Sequence, residues 1–97
     1  MKSMFVDSES FNADISKWDV SRVTNMANMF HSAKSFNADI SKWNVSSVTD
    51  MNSMFEDATS LTRTLCGSAW VHSKADKTDM FKGSQGKIAK TICESGE

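Results

Sequence analysis

The chain repeats itself at a fixed step of 25 residues. Residues 11–30 read FNADISKWDVSRVTNMANMF, and residues 36–55 read FNADISKWNVSSVTDMNSMF, with 15 of the 20 aligned positions identical. Phe11, Ile15, Trp18, Val20, Val23, Met26, Met29 and Phe30 recur as Phe36, Ile40, Trp43, Val45, Val48, Met51, Met54 and Phe55. Recurring apolar positions at a period of 20 to 50 residues mark a solenoid. One such unit cannot bury its own apolar side chains. It buries them against the same side chains of its neighbours, so stacking creates the core. Phe11, Phe36, Ile15, Ile40, Trp18, Trp43, Met29, Met54, Phe30 and Phe55 are the expected core ladder.

Within one unit, Met26, Met29, Phe30 and Ala33 fall at i, i+3, i+4 and i+7, as do Met51, Met54, Phe55 and Ala58. This spacing predicts a helix in each coil, capped by Thr24 or Asn25 and by Thr49 or Asp50. The stretch Asp14–Val20 mixes β-branched and aromatic residues and reads as a short strand or arc. Arcs of successive coils would pair as a parallel ladder about 4.8 Å apart. The expected fold is therefore α/β: an LRR-like right-handed solenoid of about three coils, each a short parallel arc plus a helix.

The pattern decays after residue 61. Leu61 and Leu65 replace Phe36 and Ile40, Trp70 falls where Val45 would repeat, and Met80-Phe81 is the last Met-Phe pair. Residues 1–61 read as solenoid repeats and 62–97 as a degenerate last coil and C-terminal cap. Cys66 and Cys93 follow Leu65 and Ile92, which fit the same core position on adjacent coils. Stacked positions at that spacing suit a disulfide, which would close a loop of about 28 residues and add roughly 3 kcal/mol. The alternative is two buried thiols acting as small apolar groups. A bridge implies an oxidising, extracytoplasmic location: cell surface, secreted or an organelle lumen.

At the other end, Met4-Phe5 is the Met-Phe pair of a coil whose arc is missing. The open edge admits three readings: a longer parent protein, a partner covering it, or self-association. MKSMFVDSES carries no apolar h-region and does not read as a signal peptide. No apolar run spans a bilayer. Net charge is −1, which offers nothing to nucleic acid.

Few residues carry chemistry. Asp14 and Asp39 stack beside Asn12 and Asn37 and could present oxygens to Ca²⁺, but Asp and Asn more often bond backbone N–H groups in turns. His31 and His72 have no recurring partner, and the recurring serines lack a base. Gly83-Ser84-Gln85-Gly86 is a turn, without the spacing of a phosphate loop. Asn44-Val45-Ser46 is a glycosylation sequon. No catalytic residue, metal site or cofactor is expected, and a small-molecule ligand is not expected. The candidates for partner contact are Met4 and Phe5 at the edge, and Asp14, Asp39, Lys17 and Lys42 on the arc.

The pattern F-N-x-D-I-S-x-W-x-V-S-x-V-T-x-M-x-x-M-F resembles the 25/26-residue surface-protein repeat known as DUF285, related to BspA-like leucine-rich repeats. Phe11–Phe30 and Phe36–Phe55 carry it. The resemblance implies a solenoid used for surface contact or adhesion and supplies no catalytic residues. The closing Leu65-Cys66-Gly67…Ala69-Trp70-Val71…Met80-Phe81…Gly83…Cys93 looks like the algal ends of such proteins. The expected function is non-enzymatic protein interaction or adhesion. The alternative is a small accessory subunit docked on a larger assembly, such as an organellar photosynthetic membrane complex, with its docking edge at the N-terminal coil.

Overall fold

A computed structural model describes residues 2–93; the last four residues of the expected cap lie outside it. The Met-x-x-Met-Phe-x-x-Ala segments form runs of tight turns, not the expected helices. The N–H groups of Met29, His31 and Ala33 donate to the carbonyls of Met26, Asn28 and Phe30 at 3.0–3.2 Å. The intervening N–H groups leave the repeat. Those of Met26, Asn28, Phe30 and Ser32 donate to the carbonyls of Asp50, Asn52, Met54 and Glu56 at 2.8–3.0 Å. The next repeat does the same. Ser53, Phe55 and Asp57 donate to Thr78, Met80 and Lys82.

The physical reason is a competition for amides. A helix would commit every N–H to its own turn, and an isolated helix of two turns is marginal. Alternating turns spend half the amides locally and half on the neighbour. The turns need a left-handed residue at their third position. Asn28 and Ser32 take it with φ of 58° and 59°, as do Ser3, Asp7, Ser53, Asp57 and Asp79 with φ between 56° and 58°. Gly83 closes one column at φ 76°.

The arcs also differ from expectation. Among the described residues only the last pair forms strands: β1, Thr64–Leu65, pairs in parallel with β2, Lys87–Ile88, with Thr64 opposite Lys87 and Leu65 opposite Ile88. Earlier arcs are joined by side chains. The Asn12 carboxamide oxygen accepts the Asn37 N–H at 2.7 Å, and that of Asn37 accepts the Thr62 N–H at 3.0 Å. The Trp43 indole N–H donates to the Ile15 carbonyl at 3.0 Å. The Trp70 indole donates to the Ile40 carbonyl at 2.9 Å. Trp70 thus fills the repeat's Trp position and not that of Val45. The single helical turn α1, Ser68–Val71, takes up the extra residues in between.

The core runs along the stack. Phe5, Phe30, Phe55 and Phe81 form a column with ring centroids 5.3–5.5 Å apart. Phe11 and Phe36 lie beside it, each 4.0 Å from its partner ring, Phe5 or Phe30. Ile15, Ile40, Trp43, Met29, Met54, Phe30, Phe36 and Phe55 are buried, and Phe11 is half-buried. Trp18 departs from the expected ladder: it is 37% exposed, because among the described residues no arc lies on its outer side to accept its indole N–H as Ile15 does for Trp43. Cys66 and Cys93 form a disulfide with Cα atoms 5.1 Å apart, and the Cys93 N–H donates to the Cys66 carbonyl at 2.9 Å.

Candidate functional site: a polar groove across the repeats

Side chains at equal places in successive arcs face the same way, so the arcs generate rows. Asn12, Asp14, Ser16 and Lys17 of one arc, Asn37, Ala38, Asp39 and Lys42 of the next, and Arg63 beyond them line an open groove of about 560 Å³. Four of the expected contact residues, Asp14, Asp39, Lys17 and Lys42, come together there. Arg63 joins them, and sequence comparison overlooked it because its counterpart Ala38 is uncharged. Its Nε donates to the Asn37 carbonyl at 2.9 Å, which fixes the guanidinium beside the asparagine row.

The two carboxylates shape the turns. Asp14 accepts the Ser16 N–H and Asp39 accepts the Ser41 N–H, each at 3.0 Å. The Ser16 hydroxyl and N–H hold Asp14 below its ordinary value of 3.8. The Ser41 N–H and hydroxyl do the same for Asp39, with Arg63 and Lys42 adding to the effect. Asp19 and Asp76 are lowered in the same way by Ser21, and by Thr78 and Asn52. These aspartates are therefore ionised turn formers. The exposed Lys17, Lys42 and Arg63 give the groove one cation per repeat.

The other expected contact residues, Met4 and Phe5, sit at the N-terminal face. Met4 is 52% exposed and Val6 38%, beside the half-buried Phe5 and Phe11. A grouping that sequence reading missed lies on the turn side. His31, Glu56 and Asp57 bring one ligand-type atom each within 4.8 Å of one another. Position 31 stacks on position 56, a juxtaposition visible only once the repeat register is applied. Asn44 is exposed, and its carboxamide oxygen accepts the Ser46 hydroxyl at 2.7 Å. No helix among the described residues is long and apolar enough to cross a membrane.

In-register turns, a shared aromatic column and rows of like side chains define a small tandem-repeat protein. The chain belongs to the family described as "Mycoplasma protein of unknown function, DUF285", which matches residues 1–92. No curated protein and no solved structure matches the chain.

Proposed function

We propose that the chain is a non-enzymatic protein-interaction or adhesion module, built as an LRR-like right-handed solenoid that stands at a cell surface, in secretions or in an organelle lumen. The observation that carries this is the groove. It presents a cation from each of three successive arcs on a backbone fixed by the asparagine row. Lys17 and Lys42 repeat at one step, with Arg63 and the ionised Asp14 and Asp39 in the same groove, so it suits an extended partner segment whose acidic groups meet the cations. The disulfide supports an oxidising location. The exposed apolar face around Met4 favours a second reading, a small accessory subunit seated on a larger assembly.

The test is capture and reconstitution. The unreduced chain is cross-linked to surface and secreted proteins of its source, and the captured protein is remade pure. Binding is then measured for the native chain and for the Lys17→Glu, Lys42→Glu, Arg63→Glu variant. Loss of at least roughly tenfold in affinity is expected, equivalent to about 1.4 kcal/mol. Unchanged binding by the variant defeats the groove reading.

A further inference from the structure

The ladder bonds that leave the Met-x-x-Met-Phe turns point one way, whereas those from Thr49 to Thr24, from Asp76 to Thr49 and within the β1–β2 pair run the opposite way. Ser3, Phe5 and Asp7 donate N–H to the carbonyls of Ala27, Met29 and His31; Asn28, Phe30 and Ser32 donate to the following repeat, and Ser53, Phe55 and Asp57 to the one after. The two ends of this ladder are therefore different and complementary. Lys2, Met4 and Val6, the counterparts of Ala27, Met29 and His31, hold carbonyls that accept no backbone N–H among the described residues. Asp79, Phe81 and Gly83, the counterparts of Ser53, Phe55 and Asp57, hold N–H groups that donate to no backbone carbonyl among the described residues. Three acceptors on one end match three donors on the other, at the same two-residue spacing.

The apolar surfaces agree. Among the described residues the phenylalanine column ends in Phe5 and Phe81, both half-buried, each with a single neighbour in the column at 5.4 Å or 5.3 Å. Met4 is 52% exposed while its counterparts Met29 and Met54 are fully buried between repeats. Formal charge agrees as well. Residues 1–61 carry five Lys/Arg against eight Asp/Glu, and residues 62–97 carry six against four.

We propose that copies of this chain join head to tail. The N–H groups of Asp79, Phe81 and Gly83 of one copy donate to the carbonyls of Lys2, Met4 and Val6 of the next, and Phe81 stacks on Phe5. This is strand addition at a ladder edge. The contact uses two different patches, so it is heterologous and extends into a linear run instead of closing as a dimer. It involves neither the groove nor its partner and stands independently of that reading.

The test is sedimentation of the unreduced 97-residue chain over a wide concentration range. Mass should rise with concentration without stopping at a dimer. The Met4→Lys, Val6→Lys variant places charge on the head edge. It should keep its circular dichroism and remain monomeric. Added in excess to native chain it should shorten the assemblies, since its tail still caps a native head. Amide exchange gives a second readout on the native chain: exchange at Phe81 should slow at least roughly tenfold on concentration. A native chain that stays monomeric throughout overturns the proposal. So does a monomeric variant that fails to shorten native assemblies, which would mark a head-to-head contact. Assembly with unchanged Phe81 exchange overturns it too.

Discussion

Replacing Trp43 separates the stacked arrangement from any alternative in which the tryptophans form an exposed platform. Its side chain is 2% exposed and its indole N–H donates to the Ile15 carbonyl in the preceding arc. Trp43→Ala removes about 150–250 Å² of buried aromatic surface, worth up to about 4–6 kcal/mol at roughly 25 cal/mol per Å². It also strands a carbonyl that loses its donor, at about 1–3 kcal/mol. Partial collapse of the site brings the expected loss to about 3–5 kcal/mol. A domain of this size has only about 5–15 kcal/mol in all. Trp43→Phe keeps most of the packing and loses the bond, so about 1–3 kcal/mol should go. Trp18→Ala is the internal control. Trp18 occupies the same position one repeat earlier but is 37% exposed, so it buries less surface and strands no carbonyl, and its loss should be smaller than that of Trp43→Ala by about 1–3 kcal/mol. Urea unfolding of the unreduced proteins, followed by circular dichroism since the fluorophore itself is changed, gives all three numbers. A Trp43→Ala loss below about 1 kcal/mol, or one equal to that of Trp18→Ala, would refute the reasoning.

Four further outcomes are expected. Reducing the Cys66–Cys93 bridge, which spans 27 positions, should lower stability by roughly 3 kcal/mol, measured as a shift in urea midpoint. Asp14, Asp19, Asp39 and Asp76 are all held below the ordinary 3.8 by hydrogen bonds of the folded state. Their stabilisation is thus complete above the unfolded value and lost as pH falls through the lower folded values. Thermal midpoints should drop below about pH 4, and less so in Asp19→Asn, which copies the natural Asn44. Ser53→Gly should raise stability by about 0.5–1 kcal/mol, because Ser53 sits at φ 57° where a side chain is disfavoured; an unchanged or lower urea midpoint counts against this. Gly67→Ala should lower it by about 1–3 kcal/mol, since a Cβ there meets the Ser41 carbonyl oxygen; a neutral result in the same assay would mean that the arc yields freely.

The stacking register was legible from the sequence because apolar side chains recur at one step and must cover one another. Phe30 over Phe55, 25 residues apart, follows from this, whereas the Trp43 indole bond to the Ile15 carbonyl, 28 residues apart, does not. The local backbone was not. Met26, Met29, Phe30 and Ala33 carry helical spacing, yet consecutive four-residue turns place the same side chains on one face. The signal that distinguishes them lies in the polar columns. Ser3, Asn28, Ser53 and Asp79 form one, and Asp7, Ser32, Asp57 and Gly83 the other. These are small residues that tolerate or bond within left-handed turns and serve a helix interior poorly. Trp70 was misplaced because the extra turn at Ser68–Val71 breaks the count while the indole bond survives. Of the groove, the aspartates and lysines were visible as repeated residues. Arg63 was not, since its place in the row is defined by the Asn37 carbonyl.

The parallel run of ladder bonds between the Met-Phe turns has an electrical consequence. Each N–H···O=C bond between repeats is a small dipole; those between the Met-Phe turns add along the stack as peptide dipoles add along a helix, and the opposed bonds from Thr49, Asp76, Lys87, Ala89 and Cys93 offset only part of the sum. The carbonyl end at Lys2, Met4 and Val6 is the negative pole, and the amide end at Asp79, Phe81 and Gly83 the positive pole. The side chains reinforce this polarity: acids outnumber bases in residues 1–61 and bases outnumber acids in residues 62–97. The net charge of −1 hides this separation. In low salt the molecule should turn end-on in an applied field, a behaviour that net charge alone would never suggest.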